Sequence, residues 1–517
     1  MPVFGLSQHT GIMLHMILYS VSQVARFCAF CLRTTGRQLA LLVFVLAGMG
    51  LTACQMPLIV RPVDGSSATV STLAPRLQAP VAAPVTVAEQ QVTLLTYPLE
   101  RYQTDAFDPR YRWPYKRFDV ERFRAEAPAP EPRSYHMIVL ENEYLKLLFL
   151  PELGGRLWQV IHKPTGAPMF YQNRTVKPTH WGQPNQLGWL ALGGLEWGLP
   201  VIEHGYDWGV PWAYTVERQG DHEAAIIFMT PADGRLLQAR IRVALLAGEA
   251  RFTIEPTLTN RSRQTLDFSF WIDAILAPGS GGQPSGQLRF VLPADRVQLH
   301  STADATLPAP AQTFPWPYVN SRDLSRLGNW RQYLGFFESP QAQGPFAGVY
   351  DPAYDAGAVR IFPPDVARGS KVFAMGWHDA LGSYNYTDDD SVYVELHGGV
   401  ASSFFDQAQL APNGTLTWRE SWYPVHGIGG FVVAGEAGAL NVVETGGGLR
   451  IGFYPTQPVL GTLVVEAGQQ APIRIAFQAG PDMPFRELVA VKAPKTASHR
   501  VRVEDPDGKF LLAYESP

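Results

Sequence analysis

From Val92 onward, short apolar runs alternate with clusters of Gly, Pro, Asn and Asp. His136–Leu140, Leu236–Leu245, Arg251–Thr259, Leu266–Ile275, Tyr333–Phe337, Lys371–Met375, Val392–Leu396 and Thr415–Trp422 are rich in β-branched and aromatic residues. Bounded by turn formers, such runs predict strands. No long segment holds a 3.6-residue period, and no internal repeat is visible. So many strands over residues 92–430 predict an all-β fold of two large stacked sheets. Past Gly429-Gly430 the aromatic content drops and a new set of short strands begins, including Leu449–Phe453, Gly461–Val465, Ile473–Phe477 and Phe510–Tyr514. Residues 431–517 therefore predict a small β-sandwich packed against the main one.

Glu141–Gly166 reads ENEYLKLLFLPELGGRLWQVIHKPTG. Alternation in Tyr144–Leu150 and in Arg156–Ile161 predicts two strands, joined at a corner where Gly154-Gly155 allows a backbone bend. This stretch resembles the opening of galactose-mutarotase-like supersandwich domains, and above all an uncharacterised bacterial family of such domains often found beside tetratricopeptide repeats. The resemblance runs from about Val92 to Gly430. It implies a supersandwich fold and a carbohydrate ligand.

The first 54 residues read as a signal segment. Arg33 and Arg37 precede the apolar run Leu39–Met49, and Leu51-Thr52-Ala53-Cys54 follows. A basic region, an apolar stretch and small residues describe a secretory signal. The final four resemble a bacterial lipobox, which implies that Cys54 is lipidated and anchors the protein on the extracytoplasmic face of the cell membrane. The apolar run falls short of the roughly 20 residues that span a bilayer. Met1–Leu32 is more than such a signal needs, which suggests that translation starts nearer Leu32. Residues 55–91, rich in Pro, Ala, Ser and Thr, predict an extended tether. The three cysteines lie at or before Cys54, so the mature fold must hold by core burial alone.

A net charge of −4 with no basic run after the signal argues against nucleic acid as a partner. Charged residues make up 17% and aromatics 12%, a balance that suits large sheets and stacking surfaces. Trp181, Trp189, Trp197, Trp208 and Trp212 crowd into one Gly- and Pro-rich stretch, with Glu196, Glu203, His204 and Asp207 among them. Flat ring faces with a few polar groups are what a pyranose site needs, so Trp181, Trp197 and Trp208 are candidate sugar-stacking residues. The alternative is a satellite core beneath long loops.

Val392–Leu396 alternates cleanly, and its period sets Tyr393, Glu395 and His397 on one face. A carboxylate inside an apolar strand is costly unless paired or set in a cleft. Glu395 matches the strand that carries the general base in galactose mutarotases, with Leu410–Gly414 as the turn that follows. The mutarotase histidine has no counterpart: after Leu258-Thr259-Asn260, no histidine occurs between His222 and His300. His204-Gly205 resembles a His-Gly pair that those enzymes carry over the sugar, which makes His204 the candidate acid. Arg156, just past the glycine corner, resembles an arginine that contacts sugar hydroxyls. His378 and His397 are further candidate binders. With Asp388–Asp390 they match no known coordination rhythm, so neither metal nor cofactor is expected. Glu395 with His204 would serve an aldose epimerase. Glu395 with Glu196, or with Asp207 or Glu420 in its place, would serve a glycoside hydrolase. A carbohydrate-binding module without turnover is the third reading.

Overall fold

The computed structural model describes residues 82–179, 188–377, 386–468, 470–491 and 498–516. Cys54 and the whole signal segment lie outside those residues, as do Trp181 and His378. Among the described residues strands dominate the regular structure, with one short α-helix, Val120–Glu126, and two short 3-10 turns.

Two large sheets form the main body. The larger has thirteen strands; its middle runs, side by side, Leu334–Glu338, Gly369–Ala374, Val394–Gly399, Trp271–Leu276, Gly194–Gly198, Arg156–His162 and Leu145–Leu150. The second has nine, among them Glu223–Met229, Leu237–Leu246, Phe252–Asn260, Glu420–His426 and Ala356–Ile361. Alternation along each strand decides which side chains meet between them. Leu157, Leu195, Ile272 and Leu396 from the first sheet pack in one continuous core with Ile226, Ile241, Ile254 and Trp422 from the second.

The large sheet also carries an apolar layer on its other face. Ile275, Tyr171, Trp158, Trp189 and Tyr393 form one cluster there, and Trp271, Phe337 and Phe404 another. This face is where Glu395 and His397 point, because Val394 and Leu396 between them are committed to the inter-sheet core.

Two expectations change. Leu266–Ile275 is two strands: Leu266–Phe268 pairs with Ala408–Leu410, and Trp271–Leu276 joins the large sheet. The break falls at Ser269, whose N–H donates to the Pro200 carbonyl at 2.8 Å. The tether expected to reach Gln91 overlaps a strand, Thr86–Thr96, paired along its whole length with Glu131–Glu141. Most of its side chains face solvent, so backbone pairing rather than an apolar pattern holds it.

Beyond residue 430, two four-stranded sheets enclose Leu440, Ile451, Phe453, Leu463, Val501 and Val503. This small sandwich meets the main body through Phe346, Tyr350, Val425, Phe431 and Tyr454. At the same seam His162 stacks on His426, with ring centroids 4.4 Å apart, and the Tyr454 hydroxyl lies 3.3 Å from His162 Nε2.

Candidate functional site

Strand register assembles a row of ionisable side chains that no local stretch of sequence contains. Glu196 lies opposite Asp273, Asp273 opposite His397, and His397 opposite Lys371. Arg156, on the strand beside Glu196, completes a row across five adjacent strands. All five side chains are buried. Glu395 stands one pleat along from His397 on the same face. The row is bounded by apolar neighbours: Asp273 sits between Ile275 of one outer cluster and Trp271 of the other.

Contacts along the row are close. Arg156 donates Nη1 to the Gly193 carbonyl at 2.7 Å and pairs through Nη2 with Glu196. The other Glu196 oxygen lies 2.5 Å from His204 Nδ1, and Asp273 Oδ2 is 3.7 Å from that nitrogen. His397 Nε2 is a point of convergence, with Glu395 Oε2 at 2.9 Å, Lys371 Nζ at 3.0 Å and Asp273 Oδ1 at 3.1 Å. Lys371 Nζ is 3.7 Å from Glu395.

His204 reaches the row from the loop after Gly194–Gly198. That loop doubles back tightly, the Tyr206 N–H donating to the Leu199 carbonyl at 2.9 Å. Gly205 has φ +63°, and a Cβ there would stand 2.1 Å from Leu199 N, so only glycine fits. The imidazole is then pressed flat on Trp189, centroids 3.8 Å apart and planes 5° from parallel. With Nδ1 committed to Glu196, Nε2 is the nitrogen left for outside chemistry. Next to it, Glu203 pairs with His300 at 3.5 Å.

Burial and neighbouring charge set the protonation pattern. Burial raises the Glu196 carboxyl, but Arg156 and His204 outweigh it and hold it below the ordinary value. Burial, then Glu395 and Glu196, push Asp273 well above the carboxylate range. His397 is held well below the imidazole range by burial and then Lys371. His300 falls to about 3 through burial, Lys371 and His397. Asp273 and Glu395 each bring an oxygen within 4.8 Å of the other. At an effective dielectric near 20, two carboxylates at that distance repel by about 3–4 kcal/mol, which adds to burial in favouring a proton on one of them.

Two overlapping triads, Glu196–His204–Asp273 and Asp273–Glu395–His397, have the spacing a divalent ion would need. Each already has a basic side chain against it, Arg156 on Glu196 and Lys371 beside His397 and Glu395. The donor set therefore fits an internal cation better than a metal.

The sequence candidates divide sharply. Glu395, His204, Glu196 and His397 come together. Arg156 joins them but has no exposed surface; it backs Glu196 and does not face a ligand. His397 is likewise fully buried, a member of the row and not a contact for solvent-borne groups. Trp197 belongs to the inter-sheet core and donates Nε1 to the Gly155 carbonyl at 3.0 Å, because it alternates with Glu196 and must face the other way. Trp208 packs in the outer apolar layer and lines a separate cavity of about 310 Å³ with Leu153, Arg133 and Tyr206. Trp208 thus fits the satellite-core alternative, and Trp197 belongs to the main core. Asp207 and Glu420, the substitute carboxyls, are buried ion-pair partners of Arg235 and Arg360.

Sequence reasoning misses Asp273, Lys371 and His300. Asp273 carries the signal used for Glu395, a carboxylate inside an apolar strand, here Trp-Ile-Asp-Ala-Ile-Leu. Lys371 lies in Gly369–Ala374, a strand buried at five of its six positions. Asp273 lies on the second strand after Leu258-Thr259-Asn260, Trp271–Leu276.

Comparisons with known proteins agree with this architecture. A TPR-domain containing protein from Parabacteroides distasonis aligns with a TM-score of 0.55 at 21% identity, over 67% of this chain and 56% of that one. The chain thus spans just over half the length of that protein, and the likeness is one of fold. A galactose mutarotase-like protein from Clostridium acetobutylicum aligns at 13% identity and a TM-score of 0.40, over 57% of this chain and 96% of that one. A galactose mutarotase related enzyme from Lactobacillus acidophilus does so at 11% and 0.38, over 56% and 97%. Residues 108–425 match the model of a family described as a domain of unknown function, DUF5107. That match spans more than half of the sequence, and the chain belongs to the DUF5107 family.

Proposed function

We propose that this protein is a surface-anchored, carbohydrate-active lipoprotein whose buried row drives proton transfer on a sugar, with Glu395 as base and His204 as acid. The observation that carries the reading is the unequal engagement of the two glutamates. Both oxygens of Glu196 are taken, one by Arg156 and one by His204. Glu196 therefore orients the imidazole, as a carboxylate does in a catalytic triad, and is poorly placed to protonate a leaving group. This disfavours a two-carboxylate glycoside hydrolase. Glu395 keeps one oxygen, Oε1, outside these contacts. For an aldose, Glu395 would take the anomeric hydroxyl proton while His204 Nε2 gives a proton to the ring oxygen. Ring opening and reclosure on the other face returns both protons. Burial among apolar residues strengthens each charge interaction and excludes competing water.

The test is anomer interconversion followed by NMR across a panel of free aldoses, with glycan hydrolysis assayed in parallel. Glu395→Gln and His204→Asn should each lower turnover by about 10²-fold or more, the usual scale of an acid–base group, while sugar affinity changes little. Sugar binding with no turnover by the unmodified protein would sink the enzymatic reading and leave a binding module. Anchoring is tested separately: Cys54→Ser should move the protein from the membrane fraction to the soluble exported fraction, and unchanged partitioning would refute lipidation.

A further inference from the structure

The carboxyls of the row are not equally compensated. Three carboxyls, Glu196, Asp273 and Glu395, face two cations, Arg156 and Lys371, inside a buried layer. An uncompensated buried charge is far costlier than a neutral acid, so the least compensated of the three carboxyls is the one to hold a proton. Geometry selects which one. Glu196 is clamped by Arg156, and Glu395 has the Lys371 ammonium at 3.7 Å. Asp273 has neither: no arginine or lysine forms an ion pair with it among the described residues, and neither of its oxygens has a hydrogen-bond partner of good geometry. It is also fully buried at the middle of the row.

We propose that Asp273 is a neutral carboxylic acid in the resting protein at neutral pH, and that its proton is what leaves Glu395 ionised. The inference deepens the acid–base reading of this site and rests on it for its catalytic meaning, but its physical content stands without any substrate. The surroundings are consistent from every side. Glu196 and His204 lie toward one end of the row, His397, Glu395 and Lys371 toward the other, and the uncharged phenol of Tyr393 stands on the same face. Across the sheet Arg360 is already neutralised by Glu420. Burial and the two flanking glutamates push Asp273 in the same direction. Asp273 is thus a positioning residue: it touches no ligand atom, and it sets the charge of the group that would. A carboxylic acid held neutral by apolar burial is a known device for tuning a site at neutral pH, and the proton belongs to the coupled set of three carboxyls before it belongs to any one.

Infrared spectroscopy of the purified full chain reads this directly. The difference between wild-type and Asp273→Asn spectra at pH 7 should contain the C=O stretch of a protonated carboxyl, a comparison that cancels any band from Glu338, a second buried carboxyl raised to about 7. Asparagine mimics the neutral acid in shape and charge, so that variant should melt within about 3 °C of wild type, the shift that about 1 kcal/mol produces. Glu395→Gln supplies the sharper arm. With the neighbouring carboxylate gone and Lys371 no longer paired to it, Asp273 should ionise and its band should disappear, although Asp273 itself is untouched. The same difference gives a further reading, since the band should persist as pH rises past 7. Absence of the band from that difference at pH 7, or its survival in Glu395→Gln, would each overturn the proposal. So would a stoichiometric divalent ion in the purified protein whose removal brings the band into view. None of these readings needs turnover, so an inactive protein with the band present would defeat the functional reading and leave this one standing.

Discussion

At the scale of single residues, Arg156 shows how a buried ion pair is both necessary and replaceable. Arg156→Met should destabilise the fold by about 3–5 kcal/mol, because Glu196 is left charged and buried without its cation. Adding Glu196→Gln should recover most of that loss. Urea denaturation of the two variants measures the difference, and an equal loss in both would mean that packing, not charge, was at stake. The same scale shows what the sequence discloses and what it hides. Glu395 is visible as a carboxylate within an apolar strand, and Asp273 offers an equal signal in Trp-Ile-Asp-Ala-Ile-Leu. Neither strand says which residues will stand beside it, since cross-strand register is not written in either strand alone. Trp197 defeats the sugar-stacking expectation for a simpler reason. It is one residue from Glu196 in the same strand, so the period of two alone puts the pair on opposite faces.

Between residues and the whole lie the elements, and here the loop that delivers His204 is the informative one. Gly205→Ala would strain a positive φ and drive a Cβ into Leu199 N. It should cost about 1–3 kcal/mol and displace His204 from Trp189. Thermal melting and anomer interconversion should therefore both fall; an unchanged melting temperature would show that the loop has another way to close. Existence and type of the main-body strands are legible from apolar alternation, because half-buried sheets impose a period of two. Two things are not. The Thr86–Thr96 strand has mostly solvent-facing side chains and is held by backbone pairing, so no alternation marks it. The break at Ser269 depends on a carbonyl from Pro200, far away in sequence.

On the scale of the molecule, the stacked histidines at the seam between main body and small sandwich make stability depend on pH. Burial, with His426 as a second cause, lowers His162 to about 3, and burial lowers His426 to about 4 despite the opposing pull of Asp355. The Tyr454 hydroxyl and Thr165 Oγ1 also meet His162. Both folded values lie below the unfolded value near 6.5, so between them the unfolded chain binds more protons. The contribution is full above about pH 6.5 and is lost as pH falls, at up to about 1.4 kcal/mol per pH unit for each histidine. Urea midpoints should therefore drop from pH 7 to pH 5, and His426→Leu should flatten that slope; an unchanged slope would place the acid sensitivity elsewhere. The order of strands in the large sheet bears on how the protein is made. Val394–Gly399 lies between Gly369–Ala374 and Trp271–Leu276, yet it is the last of the three in the chain. It is a keystone: without it the sheet falls into two pieces with bare edges, and the charged row has no centre. Such late, long-range closure is slow. A chain still emerging thus holds Lys371 apart from Asp273 and Glu395, and the two halves of the row meet only once the final central strand has dropped into place.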